Sequence, residues 1–240
     1  MPKEILFGTH SRFMEKLMTK RVDVKARNRR QSKFKSLLPV IIVVAIAVVV
    51  LAVLIIPSLS KPNIDRTTTS TSISLGDVNA PVKVEEFGDY QCPACGAFYS
   101  QLEPGLVKDY VNTGKVYFTF TAFSFIGTES VQAAQGAYCA MDQGKFWEYH
   151  DALYNNQRGE NQGGFSNANL EAFAQNLGLN MDQFKTCFEG GKYNQLVQDN
   201  VKYGQSKNVN STPSFLVDGT LVFQDSLMKT IDAALKAKGK

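Results

Sequence analysis

The hydropathy pattern is dominated by residues 37–56, LLPVIIVVAIAVVVLAVLII, twenty positions without a charged or strongly polar side chain. At about 1.5 Å per residue a helix of that length spans about 30 Å, the hydrocarbon thickness of a bilayer. A helix of a soluble domain keeps a polar face, which this run lacks. It therefore predicts a transmembrane helix, with Pro39 in the first turn where a missing N–H costs nothing. The rival is a cleaved signal peptide, which has a shorter apolar core followed by a small-x-small site; Ser58-Leu59-Ser60 is a poor version of one. An uncleaved signal anchor is the better reading.

Beyond the run, residues 57–76 hold nine Ser or Thr, two Pro and no aromatic, and read as a solvated linker. The pattern then changes to that of a globular domain, 77–240. PVKVEEF, 81–87, alternates and is bounded by Pro81 and Gly88, predicting a strand. From Cys92 to Tyr110 the apolar residues Phe98, Leu102, Leu106 and Tyr110 recur every four positions, predicting a helix that ends at Asn112-Thr113-Gly114. KVYFTFTAF, 115–123, is β-branched and aromatic and reads as a second strand. Residues 129–206 read as helices throughout: 129–141, 145–155, 169–177 ending at Gly178, 181–189 ending at Gly190-Gly191, and 192–204. SFLVD, 214–218, and TLVF, 220–223, predict a hairpin around Asp218-Gly219, and 225–237 a last amphipathic helix. Strand, helix, strand, helical block, hairpin, helix is an α/β layer architecture with a helical insertion at about 129–206.

Charge divides the chain in the same way. Of 26 Lys/Arg and 22 Asp/Glu, residues 1–36 hold eleven basic and three acidic, leaving 15 and 19, so a tail of +8 precedes a remainder of −4. The mildly acidic main part argues against nucleic acid as a partner. Arg21, Lys25, Arg27, Arg29, Arg30, Lys33 and Lys35 precede the apolar run closely, and only Lys61 and Arg66 follow it as closely. The basic tail then stays in the cytoplasm and the domain lies outside, in a single-pass membrane protein.

Four cysteines remain, Cys92, Cys95, Cys139 and Cys187, and an even number on the outer side favours thiol–disulfide chemistry. Zinc needs four ligands, usually as two close pairs, and here the second two cysteines lie 48 positions apart. A Cys/His hydrolase would have to use His150, which reads as a helix-face residue in FWEYHDALY. A structural bridge between Cys92 and Cys95 would close so short a loop that it would constrain the unfolded chain little. A redox pair fits better. Cys92 follows a strand and opens a helix, where unpaired N–H groups and the helix dipole favour a thiolate. Cys95 lies one turn deeper on the same face, and Pro93 suits the first turn. Cys139 and Cys187, on separate helices, read as a structural disulfide; the alternative is a second redox pair that relays electrons.

GDVNAPVKVEEFGDYQCPACGAF and, far downstream, NSTPSFLVDG resemble the DsbA-like branch of the thioredoxin superfamily, and YCAMDQGKFWEYHDALY resembles that branch's inserted helices. The resemblance covers about residues 73–237. It implies a thioredoxin fold with an all-helical insertion and a redox-active Cys92–Cys95 pair with Cys92 exposed. It also implies a cis Thr212–Pro213 bond beside that pair, where the Thr212 backbone binds an extended substrate. Thr212 and Pro213, with Pro93 and Ala94, are thus the candidate substrate-contact residues. Six positions before the first cysteine the family often carries a buried acid; here that is Glu86, which shares strand parity with Val82 and Val84 and would shuttle the proton of Cys95. The reading beside it is a partly solvated strand glutamate, since Glu85 is adjacent. Where the family's strong oxidants carry Pro-His between the cysteines, this chain has Pro93-Ala94, which leaves its oxidising strength open.

The expected function is a membrane-anchored thiol oxidase acting on reduced secreted or membrane proteins, reoxidised by a quinone-coupled thiol oxidase in the membrane. No cofactor or metal is expected. A reductase or isomerase using the same pair, and a tethered peptide-binding module without redox turnover, are the alternatives.

Overall fold

A computed structural model describes residues 42–46, 64–66 and 72–240. The chain divides into two units, Met1–Ser60 and Lys61–Lys240. Of the first, residues 42–46 are helical. The rest of the apolar run 37–56, and all of the basic tail 1–36, lie outside the described residues. Among the described residues no helix is long and apolar enough to cross a membrane.

Among the described residues the second unit is built on five strands: β1 (Ser74–Leu75), β2 (Val82–Gly88), β3 (Val116–Ala122), β4 (Ser214–Val217) and β5 (Thr220–Phe223), in the order β1-β3-β2-β4-β5. The central β2 and β3 run parallel from Val82 opposite Val116 to Gly88 opposite Ala122, and β4 pairs antiparallel with β2. Strands covered on both faces lose the clean alternation of a half-exposed sheet. Accordingly Glu86, Phe87 and Gly88 are all buried at the end of β2. The hairpin β4–β5 turns at Asp218-Gly219, both with positive φ (47° and 84°).

The helix expected over 92–110 is broken. α1 (Pro93–Gln101) stops at Leu102, whose φ of −116° departs from the ideal helical value, and α2 (Glu103–Leu106) starts afresh. Pro104 is the cause: it has no N–H to give the preceding turn, and it is tolerated only in the first turn of a new helix. A π-helical turn, Val107–Val111, then leads to Gly114.

The insertion comprises α3 (Thr128–Met141), α4 (Phe146–Tyr154), α5 (Asn167–Asn176), α6 (Met181–Glu189) and α7 (Asn194–Ser206). Cys139 on α3 and Cys187 on α6 form a disulfide, with Cα atoms 5.8 Å apart. One core runs from the sheet into these helices through the rings of Phe118, Phe120, Tyr138, Phe146 and Trp147. On the other face a smaller cluster joins Phe87, Phe123, Val209 and Leu216. There Gly204 lets α7 approach the sheet, because a Cβ would stand 2.6 Å from the Phe123 ring. α8 (Leu227–Ala237) closes the chain, burying Leu227, Ile231 and Leu235.

The stretch expected to be a solvated linker, 57–76, needs correction where it is described. Leu75 is buried and β1 pairs with β3, so the sheet begins before residue 77. Residues 64–66 also lie on the domain: Ile64 is buried, and the Arg66 guanidinium reaches Glu103 at 2.7 Å and Asp151 at 2.6 Å, 4.8 Å above the Trp147 ring. Ser/Thr-rich composition indicates solvation on average, but Arg66 finds two carboxylates and an aromatic ring to pack against, and Ile64 is buried beside it.

Candidate active site

The site forms where β2 gives way to α1. The carboxylate of Asp89, fully buried, accepts from the backbone N–H of Gln91 (2.9 Å), Phe125 (3.0 Å) and Ile126 (3.2 Å) and from the Ser130 hydroxyl (2.6 Å). A buried carboxylate is tolerable only with such a full set of donors. These bonds tie the turn before α1 to the loop after β3. The Asp89 carbonyl accepts from Cys92 N–H at 3.0 Å and so sets up the helix start. From the insertion, the Gln157 amide donates to the carbonyls of Tyr90 (2.7 Å) and Cys92 (3.1 Å). Gly96 makes room for it, since a Cβ there would stand 2.3 Å from Gln157 Oε1.

Cys92 is the N-cap of α1 and Pro93 its first helical residue, with no acidic side chain in the first turn to oppose an anion. Cys92 keeps 8% of its surface and Cys95 none, and both are free thiols. Cys92 is therefore more covered than the family resemblance implies. Thr212 supplies part of the cover: the Thr212–Pro213 bond is cis, and the Cys92 thiol donates to the Thr212 carbonyl at 3.3 Å. Pro93 and Ala94 are exposed at the mouth of the site, and Pro213 is buried beneath it.

The pair is electrostatically split. The Cys95 thiol, donating to Cys92, pulls the Cys92 value from 9.0 down to about 6 against the opposition of burial. The nearby Thr212 side chain and the N–H groups of Cys95 and Ala94 add to it. Burial pushes the Cys95 thiol well up, and the neighbouring Cys92 and Glu86 push the same way. A value of about 6 favours the Cys92 thiolate at neutral pH, where an ordinary thiol is ionised by only a few per cent; once ionised, the sulfur no longer donates to the Thr212 carbonyl.

Glu86 is 1% exposed and its Oε2 has no hydrogen-bond partner, whereas Glu85 points to the other face, accepting from Thr121 (2.5 Å) and Tyr203 (3.0 Å). The strand parity of Glu86 with Val82 and Val84 thus decides which glutamate is inside. Burial first, then Glu103 and Cys92, hold the Glu86 carboxyl well above the usual range, which favours its neutral form.

Several site residues were not singled out by sequence reasoning. His150, expected to be a helix-face residue, is fully buried, with Nδ1 3.1 Å from the Tyr90 hydroxyl and Nε2 3.7 Å from the Glu103 carboxylate. Asp89, Gln157, Glu103 and Arg66 come from four separate segments. The signal for Asp89 was its place three residues before Cys92 at a strand end; nothing local marks the other three. Cys139 and Cys187 take no part in the hydrogen bonding around Cys92.

A family model described as Thioredoxin matches residues 68–237. The probable disulfide bond formation protein D of Bacillus anthracis is 35% identical over 173 residues, 70% of this chain and 80% of that protein. The oxidised crystal structure of BdbD from Bacillus subtilis superposes with a TM-score of 0.64 at 27% identity, covering 74% of this chain and 97% of the other. DsbA of Chlamydia trachomatis, at 21% identity, shares the fold with a TM-score of 0.63 over 75% of this chain and all of its own.

Proposed function

The chain belongs to the thioredoxin family and is a thiol–disulfide oxidoreductase, and from that premise we propose that it works as an oxidase, anchored to the membrane by residues 37–56, on reduced proteins outside the cytoplasm. The observation that carries the direction is the place of Cys92 at the N-cap of α1, with no acidic side chain in the first turn, an environment that lowers its value and favours the thiolate. A pair whose reduced form is stabilised takes electrons readily. The names of its Bacillus relatives, disulfide bond formation protein D, agree with that direction.

The proposed steps are these. A substrate thiolate attacks the sulfur of Cys92 in the Cys92–Cys95 disulfide; the new bond is a mixed disulfide and Cys95 leaves as a thiolate. Glu86 gives Cys95 its proton, for Cys95 is buried where a lasting anion is costly. A second substrate thiolate attacks the substrate sulfur of the mixed disulfide. Cys92 leaves as the stabilised thiolate, and the substrate has gained a disulfide while the pair has gained two electrons. The Thr212 backbone beside cis-Pro213 aligns the substrate as an extended strand. A membrane thiol oxidase coupled to quinone takes the two electrons away.

The anchoring reading is supported by the twenty-residue apolar run, whose described residues 42–46 are helical with exposed Ile42, Val43, Val44 and Ile46, and by the basic excess ahead of it. The deciding measurement is the reduction potential of the full chain equilibrated with glutathione buffers. A value far more oxidising than the roughly −270 mV of thioredoxin is expected. A value close to that figure would assign the pair to disulfide reduction or isomerisation instead.

A further inference from the structure

Glu86 is not the only carboxyl buried under the active site. Glu103, at the start of α2, is equally hidden at 1% exposure, and its charge is met from outside the domain's regular elements. Arg66 brings its guanidinium to 2.7 Å from Glu103 and 2.6 Å from Asp151, backed by the Trp147 ring. The cluster continues inward. His150 stands 3.7 Å from Glu103 and packs edge-on against Phe120 at 4.7 Å. Phe120 is the register partner of Glu86 across β2 and β3, so the two side chains share one face of the sheet.

Two buried carboxyls in one low-dielectric region cannot both ionise cheaply, so a cation beside one decides which stays charged. Burial pushes the Glu103 carboxyl up, but Arg66 and then His150 outweigh it and hold Glu103 below the usual range; the Glu103 charge in turn helps to hold Glu86 above it. The groups facing Glu103 are Arg66, His150, Asp151, Tyr90 and Tyr99. Those facing Glu86, besides Glu103, are Cys92, Cys95, Tyr90 and Tyr154. Arg66 carries its positive charge at every working pH.

We infer that Arg66, reaching in from the segment ahead of the domain, is a positioning residue for the exchange reaction: it holds Glu103 as a carboxylate and thereby keeps Glu86 supplied with the proton destined for Cys95. The inference rests on the assignment of Glu86 as that proton donor. It also means that a soluble fragment starting at residue 73 lacks a component of its active-site electrostatics.

The test is the pH dependence of the reduction potential of the full chain in detergent, for the wild type and for Glu86→Gln, Arg66→Gln, Arg66→Lys and Glu103→Gln, with folding checked by thermal melts. The inflection lost in Glu86→Gln belongs to Glu86. Both Arg66→Gln and Glu103→Gln are expected to move it to lower pH by about one unit, the size of one nearby buried charge, while Arg66→Lys leaves it near the wild-type position. Should Arg66→Gln not fold, Glu103→Gln, which is close to isosteric, decides alone. An inflection present in the wild type, lost in Glu86→Gln and unmoved by Arg66→Gln and Glu103→Gln would overturn the role of Arg66 while leaving Glu86 as the donor. If Glu86→Gln removes no inflection, the donor assignment fails and the role of Arg66 fails with it.

Discussion

Cys92 and Cys95 sit three positions apart at a strand–helix junction, whereas Cys139 and Cys187 lie 48 positions apart and join two helices of the insertion. The first pair has one sulfur at a helix start, with N–H groups, a hydroxyl and a second thiol turned toward it, and a buried acid beneath. The second pair is already joined as a disulfide between two helices of the insertion, and both of its cysteines also belong to the hydrophobic core. The chemistry of the two pairs is the same; their surroundings differ. A disulfide becomes a reagent where the protein stabilises one of its thiolates, and a strut where it closes a long loop without doing so.

The contrast can be broken most drastically by Cys92→Ser. Exchange with thiol substrates should fall to background while the fold survives, as seen in an unchanged melt; retained turnover would remove the reactive role from the first pair. Replacing both Cys139 and Cys187 with Ser should do the reverse. The chain-entropy relation for a 48-residue loop gives a loss of about 4 kcal/mol in denaturant unfolding, with the reduction potential of Cys92–Cys95 unmoved. A large change in that potential would make the second pair part of the redox machinery.

Finer tests sharpen the electrostatic half of the comparison. Thr212→Val removes a hydroxyl donor and keeps the carbonyl and shape, so the Cys92 thiolate, followed by its ultraviolet absorbance, should titrate higher by about one unit. An unchanged titration would leave the Cys95 thiol and the backbone N–H groups as the donors that matter. The smallest effect is on the pH dependence of stability. Cys92 has a folded value of about 6, below its ordinary 9.0. Its stabilisation of the reduced protein is therefore complete above about 9 and lost as pH falls through about 6, amounting to about 1 kcal/mol at pH 7. Cys95, shifted upward by burial, contributes nothing in that window and opposes stability above it. The oxidised protein lacks both thiols, so the gap between the reduced and oxidised melts should widen with pH between those limits. Parallel curves would refute the thiolate assignment.

How much of this was legible beforehand differs from segment to segment. β5 and α6 occupy the very residues that periodicity and turn chemistry delimit, 220–223 and 181–189. The helix of 92–110 was legible in its apolar spacing but not in its break, because the four-residue repeat continues across Pro104 while the hydrogen bonds cannot. The roles of Cys92 and Pro93 at the start of α1 were readable from local order alone. Glu86 was half readable: parity pointed inward, but only tertiary packing decided that it is buried. Arg66, Glu103 and His150 were not readable as a group, since they lie 37 and 47 positions apart and nothing in a one-dimensional pattern links them.

The sequence by itself determined what is local: which segments pair as strands, where the active-site helix begins, and which sulfur caps it, since backbone geometry and short-range dipoles act over a few residues. Tertiary structure decided the rest, namely which buried carboxyl is held above the usual range and which below it, and that Arg66 reaches both Glu103 and Asp151. Those properties depend on distances of a few ångströms between distant parts of the chain and on the exclusion of water between them, and only packing sets either.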